Sequence, residues 1–173
     1  TSHFFIFWGF LLLFPTILQA ILEGLLAYRG AAFTLPWIGS FGPLLFLQDI
    51  IAALVILAAA YGLYLRLVKQ PERYQGSHKA EGVLVLSFIL VIMTSLYVMN
   101  AARIHLGEDP YAPWRPISTL ISRLYGGAGL QASLWIGEAA YWVHLLLVFW
   151  FLTLLPGSKH FHVVTSATAI FLP

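Results

Sequence analysis

Four stretches of this chain are apolar for long enough to cross a lipid bilayer, and little polar sequence separates them. The hydrocarbon core of a membrane is ~30 Å thick and an α-helix rises ~1.5 Å per residue, so about 20 apolar residues make one crossing. Runs of that kind occupy residues 4–28, 43–68, 82–105 and 131–155. Backbone in hydrocarbon must satisfy its own hydrogen bonds, which a helix does within a single segment. The pattern predicts an all-α integral membrane protein built as a bundle of four transmembrane helices. Composition points the same way. Of the 173 residues, 60% are hydrophobic and 9% charged, too few charges to cover a water-soluble domain.

The ends of the runs carry membrane punctuation. Arg29 and Gly30 close the first run, Pro43 opens the second, Arg66 and Lys69 stand at its end, and Arg103 at the end of the third. In the connection before the last run, Ile117, Leu120, Ile121 and Leu124 recur at helical spacing, with Ser118, Thr119, Ser122 and Arg123 opposite. This predicts a short amphipathic helix near 117–125, lying on the membrane surface. Four crossings put Arg66, Lys69, Arg73, Lys79 and Lys159 on one side (side A). Side B carries Arg29, Arg103, Arg115 and Arg123, partly offset by Glu108 and Asp109. The positive-inside rule turns side A, with both chain ends, toward the cytoplasm of a bacterial or archaeal cell.

The chain has no cysteine, which excludes disulfides, covalent c-type haem and iron–sulfur clusters ligated from within it. A net charge of +2 gives no argument for nucleic-acid binding. The sequence opens without Met inside an apolar run and stops at "TSATAIFLP" without a polar tail, so it reads as one membrane domain, residues 1–173, cut from a longer protein.

Six histidines are many for so apolar a chain. His144 and His162 stand eighteen residues apart, five helical turns, so their imidazoles share a face ~27 Å apart along the axis. An imidazole inside a membrane is costly without a partner. For His144 two readings stand: a metal ligand, or a hydrogen bond to a neighbouring helix's backbone or hydroxyl. His3 opens the first run on side A, the side of His162, so the two could meet at one depth around a haem iron. Alternatively, His3 is an interfacial polar residue. His105 follows the third run on side B and is a possible axial partner of His144. His160 points ~200° away from His162 on a helix and faces headgroups, and His78 is solvated. Among the carboxylates, Glu23 and Asp49 lie within spans, where ionisable groups are functional hypotheses. With His105 they could relay protons to a quinone, or Asp49 could simply pair with Arg103 while Glu23 reaches the interface. The six tryptophans read as interfacial anchors.

The closing stretch "WVHLLLVFWFLTLLPGSKHFHVVTSATAIFL" resembles the last helix of the nitrate-reductase γ-subunit-like cytochromes b: a His, a Pro twelve residues on, a Ser–basic pair and a second His at eighteen. The opening "HFFIFWGFLLLF" resembles the early haem helix of membrane-anchored heterodisulfide-reductase-like iron–sulfur proteins. That branch includes the electron-transfer-flavoprotein:quinone oxidoreductases. "MTSLYVMNAARIHLGEDPYAPW" looks like their third-helix ending. The resemblance implies that His3 and His162 ligate a side-A haem b and that His144 serves a second. The γ-subunit carries another His ten residues after the one matching His3, where this chain has Leu13. Either His105 takes that role or one haem binds. The implied function is a membrane cytochrome b module. It carries electrons between a cysteine-rich iron–sulfur or flavoprotein partner on the cytoplasmic side and menaquinone or ubiquinone in the bilayer. The rival is a cofactor-free membrane anchor or a small proton-coupled carrier.

Overall fold

The computed structural model describes residues 2–27, 39–71 and 79–154. Among them the chain is helical, with no strand. Helix α1 is Ser2–Ala27, α2 is Gly42–Tyr64, α3 is Lys79–His105, α4 is Pro116–Ser122 and α5 is Leu130–Leu154. The order follows from the apolar runs, and the ends follow from local chemistry. Pro43 sits in the first turn of α2, where a missing N–H costs nothing. That helix closes in one wider turn, Leu65–Lys69, with Gln70 left-handed and its N–H bonded back to the Leu65 carbonyl. Gly107, at φ 74°, ends α3. Its N–H bonds to the Ile104 carbonyl and that of Glu108 to the Arg103 carbonyl, the paired closure that glycine permits without strain.

Helices α1, α2, α3 and α5 pack as a row, each on the next, and α4 lies across the ends of α2 and α3. Neighbours run antiparallel. Gln48 Nε2 donates to the Leu12 carbonyl between α1 and α2. Arg66 lies beside Gly82, and Tyr97 donates to the Asp49 carbonyl, at opposite ends of the α2–α3 contact. Between α3 and α5, Ala102 meets Gly137 and the Phe88 and Trp150 rings pack 5.1 Å apart. The closest approaches use small residues. A Cβ on Gly137 would stand 3.0 Å from that of Ala102, and a Cβ on Gly9 would collide with Val55. Close backbone approach through small side chains is how helices gain contact in a solvent as apolar as themselves.

Three helices among the described residues are long and apolar enough to cross a membrane: Gly42–Lys69, Ala80–His105 and Leu130–Leu154. These correspond to the expected runs 43–68, 82–105 and 131–155. The expected crossing at 4–28 falls on α1, Ser2–Ala27, of which Phe4–Pro15 is the apolar part whose side chains are all described. Most of the outward surface is apolar, including Leu57, Trp135, Trp142, Leu146 and Trp150, which suits lipid and not water.

The short helix expected near 117–125 exists as α4, continued by a tighter turn at Arg123–Gly127. Its facing is the informative part. Ser118 and Ser122 are buried against the bundle, while Leu120 and Leu124 are 61% and 81% exposed. Of the apolar set, Ile117 and Ile121 are half-buried, and Ile121 packs on Ala101, Ala102 and Tyr125. The helix therefore does not lay all its apolar side chains away from its polar ones on a flat surface. It docks its hydroxyls into protein and leaves two leucines outside.

Candidate functional site

Two buried polar centres stand between the helices. The first is built around Asp49, six residues from Pro43 on α2 and 4% exposed. Its Oδ2 accepts the backbone N–H of Ile117 at 2.7 Å and that of Ser118 at 3.4 Å, and its Oδ1 accepts the Ser118 hydroxyl at 2.5 Å. The first N–H groups of any helix lack partners within it, and a carboxylate is the best acceptor for them. Here the capping residue comes from another helix, 68 residues away in sequence. The Tyr97 hydroxyl donates to the carbonyl of Asp49 from the α3 side. The expected alternative, an Asp49–Arg103 pair, is not formed: Arg103 faces outward, and backbone amides and a hydroxyl surround the carboxylate instead.

Arg115, just ahead of α4, brings its Nε to 3.2 Å from Asp109 Oδ2, without the alignment of a hydrogen bond. Burial pulls its guanidinium below the ordinary range, while the carboxylates of Asp109 and Asp49 oppose that shift. Asp109 also accepts the N–H of Tyr111, closing the turn that leads into α4. Nearby, Tyr125 donates to the Val98 carbonyl and its ring lies 5.9 Å from that of His105. Burial raises the Tyr125 phenol. Trp114 covers the start of α2: any Cβ on Gly42 would strike its indole.

The second centre is His144 on α5. Its Nδ1 lies 3.0 Å from the Ile92 carbonyl and 3.2 Å from Ser95 Oγ, both on α3. Ile92 stands thirteen residues from either end of Lys79–His105, so the imidazole is at the middle of the α3 span, ~20 Å from each end. On its own helix it lies fourteen residues in, because α5 begins at Leu130. The hydrogen bond expected of a purely structural histidine is present. It uses one ring nitrogen. A carbonyl only accepts, so Nδ1 carries the proton and Nε2 keeps its lone pair, the state a metal-binding imidazole requires. A ring nitrogen held on a backbone carbonyl is also the usual partner arrangement of ligating histidines. A neutral imidazole in this state is chemically able to hold a haem iron, and it is the one such nitrogen that the described side chains supply here.

The other sequence candidates divide. His105 is not brought to His144. It lies ten residues beyond Ser95 on the same helix, ~15 Å along the axis, too far to share one iron. His3 is in the first turn of α1 and Glu23 in its last, but their side chains, like all of His162, His160 and His78, lie outside the described residues. Among the described residues, no three His, Asp or Glu side chains converge as a metal cluster. Sequence reasoning passed over Ser95, Tyr97 and Gln48, and read Ser118 only as part of the polar face of a surface helix. The available signal was a hydroxyl or amide inside an apolar run, which membrane helices rarely leave unpaired. Asn100 belongs to the same class. It is 6% exposed on α3.

No family model matches the chain, and no solved structure matches it. Two curated proteins are similar along nearly its whole length. The probable iron-sulfur-binding oxidoreductase FadF of Bacillus subtilis is 28% identical over 98% of the chain. The EtfAB:quinone oxidoreductase of Syntrophomonas wolfei is 23% identical over 95%. The chain spans 23% of the length of each. Both relatives are oxidoreductases, and the likeness places this chain beside an oxidoreductase-related family at low identity.

Proposed function

We propose that this chain is a membrane cytochrome b module of a quinone-linked oxidoreductase. It would pass electrons between an iron–sulfur or flavoprotein unit on the cytoplasmic side and quinone in a bacterial cytoplasmic membrane. The observation that carries the reading is His144, an imidazole level with the middle of α3 whose Nδ1 lies 3.0 Å from the Ile92 carbonyl. Support comes also from three helices fit to cross a bilayer and from relatives named for iron–sulfur binding and for EtfAB:quinone oxidoreduction. A cysteine-free chain needs any iron–sulfur centre supplied from elsewhere, in keeping with a domain about a quarter the length of those relatives.

Haem b, when bound, supplies a one-electron relay within the membrane. The chain's part is to hold and insulate it. His144 would hold one haem through Nε2; His3 and His162 would hold a second nearer side A, as the family resemblance implies. Apolar side chains of α3 and α5 would exclude water from the porphyrin, which tunes its potential. Asp49 and the polar groups around it stand near side B, where a proton exchanged with quinone would have to pass. The test is a dithionite-reduced minus oxidised spectrum of the full-length protein, with haem counted as the pyridine haemochrome. A b-type α-band is expected, and His144→Ala removes one haem. No α-band overturns the reading in favour of a cofactor-free anchor or carrier.

A further inference from the structure

Resting on that reading, a second residue of the same centre can be assigned. Ser95 stands one turn after Ile92 on α3, is 7% exposed, and donates its hydroxyl to the Ile92 carbonyl at 2.9 Å. Its single hydrogen is therefore spent. Toward His144 Nδ1, at 3.2 Å, it offers only a lone pair. The Ile92 carbonyl, at 3.0 Å from the same nitrogen, also can only accept. Both groups facing Nδ1 are acceptors, and together they fix the proton there. The opposite arrangement, with Ser95 donating to a bare Nδ1, would place the proton on Nε2 and abolish its ability to ligate. A carbonyl 3.0 Å from Nδ1 is incompatible with it, because two acceptors would then face each other.

We propose that the Ile92 carbonyl and the Ser95 hydroxyl form a positioning pair that holds His144 in its Nδ1–H tautomer and so commits Nε2 to the haem iron. Ser95 touches the imidazole and not the haem. Its effect is on ligand orientation and basicity: two acceptors on Nδ1–H push electron density toward Nε2 and strengthen it as a donor. The neighbouring Thr94 satisfies its own hydroxyl on the Leu90 carbonyl, facing outward, and contacts no ligand candidate.

The experiment uses the full-length protein in detergent. Haem loss is followed by transfer to apomyoglobin, and midpoint potentials by redox titration, for wild type, Ser95→Ala, Ser95→Thr and His144→Ala. Ser95→Ala is expected to assemble with full haem but to lose the His144 haem about tenfold faster. Its potential rises as the imidazole becomes the weaker donor, and Ser95→Thr restores both values. Wild-type loss rate and potential in Ser95→Ala, with haem missing from His144→Ala, overturn the positioning pair and leave the ligand intact. Full haem in His144→Ala overturns both. If Ser95→Ala does not fold, the imidazole C4–C5 stretch of the wild type, assigned by its loss in His144→Ala, decides. The Nδ1–H frequency supports the pair and the Nε2–H frequency overturns it.

Discussion

Asp49 shows how a single buried carboxylate can be stable inside an apolar bundle. Two amides and a hydroxyl converge on it, and hydrogen bonds to a charged acceptor are roughly twice as strong as neutral ones. Removing it leaves the Ile117 and Ser118 amides buried without an acceptor. Asp49→Ala is expected to cost about 1–3 kcal/mol. The cost appears as a lower melting temperature in detergent and faster hydrogen exchange at those two amides. Asp49→Asn keeps one acceptor oxygen and should lose less. Equal exchange at residues 117 and 118 in all three proteins would show that the carboxylate does not cap α4. In sequence, Asp49 was visible as a functional hypothesis, but its partner was not. The spacing of 68 residues to Ile117 carries no periodic signal, since it depends on how two separate helices meet.

At the scale of elements, α4 and the α3–α5 contact obey a rule opposite to that of water-soluble proteins. The buried face of α4 is Ser118 and Ser122, and the exposed one is Leu120 and Leu124. Hydroxyls seek protein partners because lipid offers none, and leucine gains nothing by leaving lipid for protein. Ser118→Leu is expected to dislodge the helix and lower the melting temperature, while Leu124→Ala stays within about 0.5 kcal/mol of wild type. The reverse ranking would put the leucines in a core. Between α3 and α5, a Cβ on Gly137 would stand 3.0 Å from that of Ala102, so a methyl needs only a small shift while a longer side chain must push the helices apart. Gly137→Leu should destabilise by about 1–3 kcal/mol, read from thermal unfolding, with Gly137→Ala much nearer neutral. The hydrophobic period of residues 117–124 did reveal a helix with two faces. It could not say which face is protein.

For the molecule as a whole, the row of helices leaves α5 packed chiefly on α3, with its tryptophans outward and one imidazole turned in. In vesicles, adding an oxidised quinone to the reduced full-length protein is expected to bleach the haem α-band. Persistence of the band would separate this chain from the quinone pool.

The place and length of three apolar helices among the described residues were determined by sequence alone, because each residue adds a fixed rise and a bilayer has a fixed thickness. Residues 43–68, 82–105 and 131–155 therefore sit within a few residues of the helices they named. The histidine at 144 was likewise marked by its chemistry, as a polar ring with no charged neighbour in an apolar run. Its depth, its tautomer and its distance from His105 were decided only when α5 was laid against α3. Helical spacing orders side chains around one axis, whereas which nitrogen carries a proton depends on the acceptor a second helix presents to it.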